Sequence, residues 1–282
     1  SKNDYMKFRI ADNTILAPYG YAVFYESLHF NNTQNPGCLR PFAFSENGEA
    51  CYVRSGLDAR NQITGFYDEE TFGASPTGVA FGRWQKSTGA YNFVAMSENT
   101  PGAANAYPKV GPIVISEIMY NPLQGAGFEG KEHEYVELHN ISGSPVTLQE
   151  YDPVLQINVP WRFTDGIDYT FSPNTTIPAG GYLVVAKNLT AFAARHGVLP
   201  NVVGPYGGQL DNAGEKLELS MPGDTDDKGT RYYIRIDRVN YNDSADWPAA
   251  ANGQGMSLTR ISSTEYGNDI INWQAADPTP GR

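Results

Sequence analysis

The chain has 282 residues, enough for two domains, and a formal charge of −11 that argues against a grip on nucleic-acid phosphates, where Lys and Arg must neutralise charge. It has no basic run and no apolar stretch of the roughly 18 residues that suggests a membrane span. Aromatic residues make up 12% of the chain, and 29 Gly with 19 Pro interrupt it at short intervals, which favours many short strands over long helices and predicts an all-β protein.

The opening residues, SKNDYMKFRI, lack the apolar region of a signal peptide. That leaves a cytosolic protein or, the preferred reading, an internal piece of an exported one. Residues 8–24 read as strand, tight turn, strand. Further on, Cys38 and Cys51 flank the strand-like Pro41 to Phe44. A disulfide closing that loop fits an oxidising compartment and stabilises by about 3 kcal/mol through the unfolded chain; two unpaired buried thiols are the alternative. No CxxC-type spacing points to zinc.

Pro, Gly and Ala crowd residues 101–112, and we place a linker at 107–112. Two runs then alternate apolar with polar residues, Ile113 to Tyr120 and Glu134 to Asn140, and both read as half-buried strands. The helical expectation is Leu189 to His196, with Asn188 or Thr190 as cap and Gly197 as the stop.

Taken in order, SEIMYNP, EYVELHN, VTL, IPAGGYLVVAKN, LDNAGEKLEL, DRVNYND, WP, GMSLTRI, NW and PTPG give residues 113–282 a close resemblance to the lamin tail domain in its secreted bacterial version. The resemblance implies an immunoglobulin-like β-sandwich and carries no catalytic residue. Parts of the motif series recur upstream. Residues 8–24 line up with 169–185, Phe44 to Val53 with Leu210 to Leu219, Ile63 to Tyr67 with Ile236 to Tyr241, and Gly78 to Arg83 with Gly255 to Arg260. The expected architecture is therefore two tandem immunoglobulin-like β-sandwiches: residues 1–106 a partial copy without the opening that Ile113 to Asp168 gives the second, and 113–282 a complete one. Such a gap predicts a polypeptide that extends upstream of Ser1, or another segment that fills the space.

Candidate chemistry is sparse. His29, His133, His139 and His196 are scattered without metal spacing, and His133 reads as part of a solvated loop. Strand alternation puts Glu134 on the face of Val136 and Leu138 and Glu137 on that of Tyr135 and His139, which favours structural use over paired acid–base catalysis. No serine sits in a nucleophile elbow. Asp224, Asp226 and Asp227, in a Gly-flanked insertion, form a candidate calcium loop because Ca²⁺ takes six to eight oxygens, although the distal bidentate Glu of an EF-hand is missing. Tyr206 and Trp247 are candidates for stacking on a sugar face, although core or edge packing is the favoured reading of Trp247. The resulting expectation is a non-enzymatic structural or adhesive module, secreted or at the cell surface, whose partners are proteins or an upstream part of its own polypeptide. An accessory module of a secreted enzyme, binding polysaccharide, is the alternative.

Overall fold

The computed structural model describes residues 4–60, 62–63 and 65–282. It divides into two compact units, one of Ser1–Trp84 with Tyr91–Pro108 and one of Gln85–Ala90 with Lys109–Arg282. Among the described residues no helix is long and apolar enough to cross a membrane.

The first unit is built from two hairpins. β1 (Gly48–Arg54) pairs antiparallel with β2 (Tyr67–Gly73), and β3 (Phe81–Gln85) forms a separate two-stranded sheet with β4 (Tyr91–Ala95). A chain of aromatic contacts, Phe30–Phe42–Phe44–Phe72–Phe81–Phe93, with ring centroids 4.7 to 6.1 Å apart, joins them. The strands expected over 8–24 do not form: Phe8 makes a single bridge to Cys38, and residues 13–24 have no ladder partner, their apolar side chains facing solvent with Tyr19 99% exposed. The two cysteines are free thiols rather than the expected disulfide. Cys38 Sγ donates to the Phe30 carbonyl at 3.3 Å, whereas Cys51 lies within β1 opposite Glu70.

In the second unit the strands are β5 (Ile113–Met119), β6 (Tyr135–Asn140), β7 (Val146–Thr147), β8 (Gln149–Asp152), β9 (Ile157–Pro160), β10 (Arg162–Asp165), β11 (Thr176–Ile177), β12 (Tyr182–Ala186), β13 (Val202–Val203), β14 (Gly214–Thr225), β15 (Arg231–Asn242), β16 (Ser257–Arg260) and β17 (Trp273–Ala276). A six-stranded sheet in the order β13-β12-β6-β5-β16-β17 faces a three-stranded sheet in the order β10-β14-β15. Ile113, Ile115, Val136, Leu138 and Leu258 from the first mesh with Phe163, Leu217, Leu219 and Val239 from the second in one buried cluster. Two sheets sharing a core in this way make an immunoglobulin-like sandwich, as expected.

β5 is buried on both faces, not one. Its outward residue Met119 packs with Tyr135, Val184, Ala186 and Phe192, the last carried by the helix α1 (Leu189–His196). That helix starts where Asn188 Oδ1 accepts from the Thr190 and Ala191 amides, and it stops at Gly197 with φ of 80°. Burying Phe192 contributes roughly 1.5–3 kcal/mol, enough to hold so short a helix on the sheet.

Two local devices recur in the β1–β2 and β14–β15 hairpins. At their open ends Gly48 and Gly214 take φ of 94° and 113°, and Glu49 and Glu215 reach back to the Ser45 and Asp211 amides at 2.6 and 3.0 Å. An added Cβ at these glycines would lie 2.6 Å from the Phe72 carbonyl oxygen or 2.3 Å from the Asn242 Cα, so no larger residue fits. At the tips, Asp58 Oδ1 accepts from the Arg60 and Gln62 amides and Asp226 Oδ1 from the Lys228 and Thr230 amides. The pairing corrects one alignment: Gly48 faces Gly73 as Gly214 faces Asn242, so Asp68–Gly73 corresponds to Asp237–Asn242, and Ile63 to Tyr67 lies before that match.

Candidate functional site

Asp237 on β15 and Arg260 on β16 form an ion pair at 2.7 Å, with Arg260 fully buried and Asp237 7% exposed. Asp237 Oδ2 accepts the Ile115 amide at 2.8 Å, and Arg260 Nη1 donates to the Ile115 carbonyl at 3.2 Å. The pair thus holds both backbone groups of one residue in β5. The β5–β16 ladder pairs Leu258 with Ile118 and Thr259 with Glu117, so these side chains take over where the backbone ladder gives out. Left unpaired, each buried group would cost about 1–3 kcal/mol.

The same pair stands in the first unit. Counted back from Gly73 and Asn242, Asp68 occupies the position of Asp237, and Arg83 occupies that of Arg260 in the segment Gly78 to Arg83. Arg83 donates through Nη2 and Nη1 to the two Asp68 oxygens at 2.8 and 3.0 Å, and through Nε to Glu70 at 2.6 Å. The Arg83 hydrogen bonds hold the Asp68 carboxyl below its usual range and push the guanidinium further up. Here the pair is open, Arg83 37% and Asp68 42% exposed, and within the first unit β3 pairs with β4 alone, with no counterpart of β5 in its sheet.

Each buried glutamate of the motif strands is committed to the chain itself. Glu117 accepts from the Tyr135 hydroxyl at 2.6 Å and the Thr279 amide at 3.2 Å. Glu137 accepts from Ser116 Oγ and the Gly281 amide, both at 2.6 Å, and burial pushes its carboxyl up to about 7. Glu134 accepts from the Tyr206 hydroxyl at 2.8 Å and the Leu210 amide at 2.9 Å, and burial raises it to about 6. These bonds tie the C-terminal segment and the 206–210 loop to the sheet.

The residues singled out in the sequence are dispersed. Tyr206 is 3% exposed in the core and so presents no ring for stacking. Its phenol needs a buried acceptor, which Glu134 supplies. Trp247 packs half-buried against the core and lines a pocket of about 200 Å³ together with Tyr120, Asn242, Asp243, Asn252 and Gln254. Asp224, Asp226 and Asp227 do not form a cluster of three carboxylates, and among the described residues no such group of His, Cys, Asp or Glu exists. Asp226 spends its oxygens on the turn, Oδ1 on two amides and Oδ2 on Tyr232.

His133 is buried, not in a solvated loop, and bonds the Gly125 carbonyl at 2.9 Å. His139 stacks on Tyr182 at 4.2 Å, and burial lowers its pKa. Sequence reasoning passed over the Asp–Arg pairs, although Asp237 and Arg260 both lie in quoted motifs. The signal lay out of register: with Ile63 to Tyr67 aligned on Ile236 to Tyr241, Asp68 falls just outside the match, and the hairpin pairing is what brings it to the place of Asp237.

The Lamin Tail Domain family profile matches residues 107–243. No curated protein matches the chain. A crystal structure of a DUF4876 family protein from Bacteroides thetaiotaomicron resembles it at 11% identity over 77% of this chain and 88% of that one, with a TM-score of 0.38, too loose a likeness to bear on function. The profile match and the two-sheet core agree, and residues 107–243 lie in a lamin-tail-like, immunoglobulin-like domain.

Proposed function

We propose that the chain is a non-enzymatic structural or adhesive module of a larger secreted or cell-surface protein, acting through protein contacts. The observation that carries this reading is the use of Glu117, Glu134 and Glu137: each buried carboxylate of the motif strands accepts from the chain's own groups. A catalytic carboxylate has to face a substrate in a cleft. These face amides and hydroxyls of the fold. We further propose that the first unit is a lamin-tail-like copy lacking its opening strands. Three shared devices support this: the Gly48 and Gly214 turns, the Asp58 and Asp226 tips, and the Asp68–Arg83 and Asp237–Arg260 pairs.

A second reading, an accessory module that binds polysaccharide, has one observation in its favour. Trp247 and Tyr120 line a pocket beside Asn242, Asp243, Asn252 and Gln254, which combines rings with polar groups suited to sugar hydroxyls. Affinity electrophoresis through gels of plant, algal and bacterial polysaccharides separates the two. The protein-contact reading expects uniform migration. Retardation on one glycan, abolished by Trp247→Ala, would replace it with the accessory-module reading.

A further inference from the structure

From the geometry we infer that the free side of β3, with the Asp68–Arg83 pair, is a strand-accepting site for an extended, alternating apolar segment of another polypeptide. This rests on the protein-contact reading above and names the chemistry of the partner. In the second unit the matching pair holds a strand by both backbone groups of Ile115, and that strand, β5, lies antiparallel beside β16. β3 is the counterpart of β16, and its partner in the sheet is β4 alone.

The pairing shows which edge is free. The Lys86 amide bonds the Ala90 carbonyl and the Met96 amide bonds the Ala80 carbonyl, so even-numbered residues of this hairpin turn towards β4. Phe81 and Arg83 therefore aim their backbone groups at the opposite side. There the Arg83 carbonyl accepts the side-chain amide of Asn105, from an exposed loop, at 3.0 Å. A side chain holds the place that a backbone amide holds in a ladder, and it can swing away into water.

The pair retains the capacity to bind. Asp68, whose oxygens accept from Arg83 and the Glu69 amide, keeps acceptor capacity, and Arg83, with Nε and Nη2 on Glu70 and Nη2 and Nη1 on Asp68, keeps one Nη1 N–H. An incoming backbone amide and carbonyl match them in sign. Apolar ground is also uncovered: Val53, the counterpart of the fully buried Leu219, is 50% exposed, and Phe81, the counterpart of Leu258, is only half-buried. An exposed edge flanked by apolar side chains suits strand addition, where backbone bonds give affinity and side-chain pockets give specificity.

The test uses the intact chain and a labelled synthetic peptide of residues 112–120, PIVISEIMY, followed by fluorescence anisotropy. Saturable binding is expected, weakened about tenfold or more by N-methylation of the Ile115 amide, a loss of the size a missing charge-assisted hydrogen bond gives. N-methylation of the Val114 amide, on the opposite edge, should leave binding unchanged, and Asp68→Asn should weaken it about as much as the first methylation does. Absence of binding, equal binding of both methylated peptides, or indifference to Asp68→Asn in a folded variant overturns the inference. So does a chain that dimerises through this edge and loses the dimer in Asp68→Asn, because the occupant is then a second copy. Should Asp68→Asn not fold, the two methylated peptides decide alone. Failure of the peptide with uniform migration in glycan gels removes only this inference, whereas glycan retardation removes the protein-contact reading itself.

Discussion

The two units share a hairpin with the same glycine entry, the same aspartate tip and the same Asp–Arg pair, yet they differ in what covers these devices. In the second unit a second sheet, α1 and the C-terminal segment close over the strands, and β5 is buried at every position. In the first, the buried apolar side chains among those described are Phe30, Ala74, Val94, Met96 and Pro108. The comparison teaches that a local device takes its energetic worth from its cover. An ion pair in water is weak; breaking the same pair when it is buried around a strand is costly.

The largest expected effect tests that statement directly. Asp237→Ala removes the acceptor of the Ile115 amide and leaves Arg260 charged and buried, which should cost about 3–5 kcal/mol. Asp68→Ala, at the matching open position, should cost less than about 1 kcal/mol. Hydrogen exchange in the β14–β15 and β1–β2 hairpins across a denaturant series reads each unit separately. Comparable losses in the two variants would break the comparison.

Next in size is a pH effect confined to the covered unit. Glu137 has its folded pKa raised to about 7 from an ordinary 4.5, so between those values the folded chain keeps a proton that the unfolded chain has lost. Stability from this group therefore falls as pH rises from about 4.5 to about 7 and is level beyond, by on the order of 3 kcal/mol in all. His196, lowered to about 4 by burial, works in the opposite sense, its contribution rising with pH up to about 6.5. Comparison with Glu137→Gln isolates the glutamate: the variant should gain on the wild type as pH is taken from 5 to 8. A constant difference in melting temperature across that range would show that Glu137 is not held protonated.

The same contrast explains what the sequence disclosed. Alternation in Ile113 to Tyr120 and Glu134 to Asn140 located two strands, and Asn188 with Gly197 bounded the helix, because these signals lie within a few residues of the structure they specify. Alternation also sorted Glu134 from Glu137. It did not show that the outer face of β5 would be covered, since that cover comes from residues 189–196 and 279–281, far along the chain. Tyr206 looked like an exposed ring for the same reason: its acceptor, Glu134, is 72 residues away. In residues 13–24, aligned by pattern with 175–185, strand-like sequence meets no partner and forms no strand. A pattern specifies a face, and a strand also needs a neighbour to bond.

The smallest effect sharpens the comparison from the other side, because a device that needs no cover should be worth the same in both units. Asp58 and Asp226 each cap a hairpin tip through one oxygen that accepts two amides, Arg60 and Gln62 in one case and Lys228 and Thr230 in the other, at 2.8 to 3.0 Å. Both turns are exposed, so truncation strands no buried group, and Asp58→Ala and Asp226→Ala should each cost about 1 kcal/mol in their own hairpin. The Asp226 result also bears on calcium. If Asp224, Asp226 and Asp227 held the ion, millimolar Ca²⁺ would raise the melting temperature by mass action, and Asp226→Ala would lose that rise while Asp58→Ala kept it. The geometry leads to the opposite expectation: equal costs and no response to Ca²⁺, because Asp226 Oδ1 is occupied by the turn that it shares with Asp58.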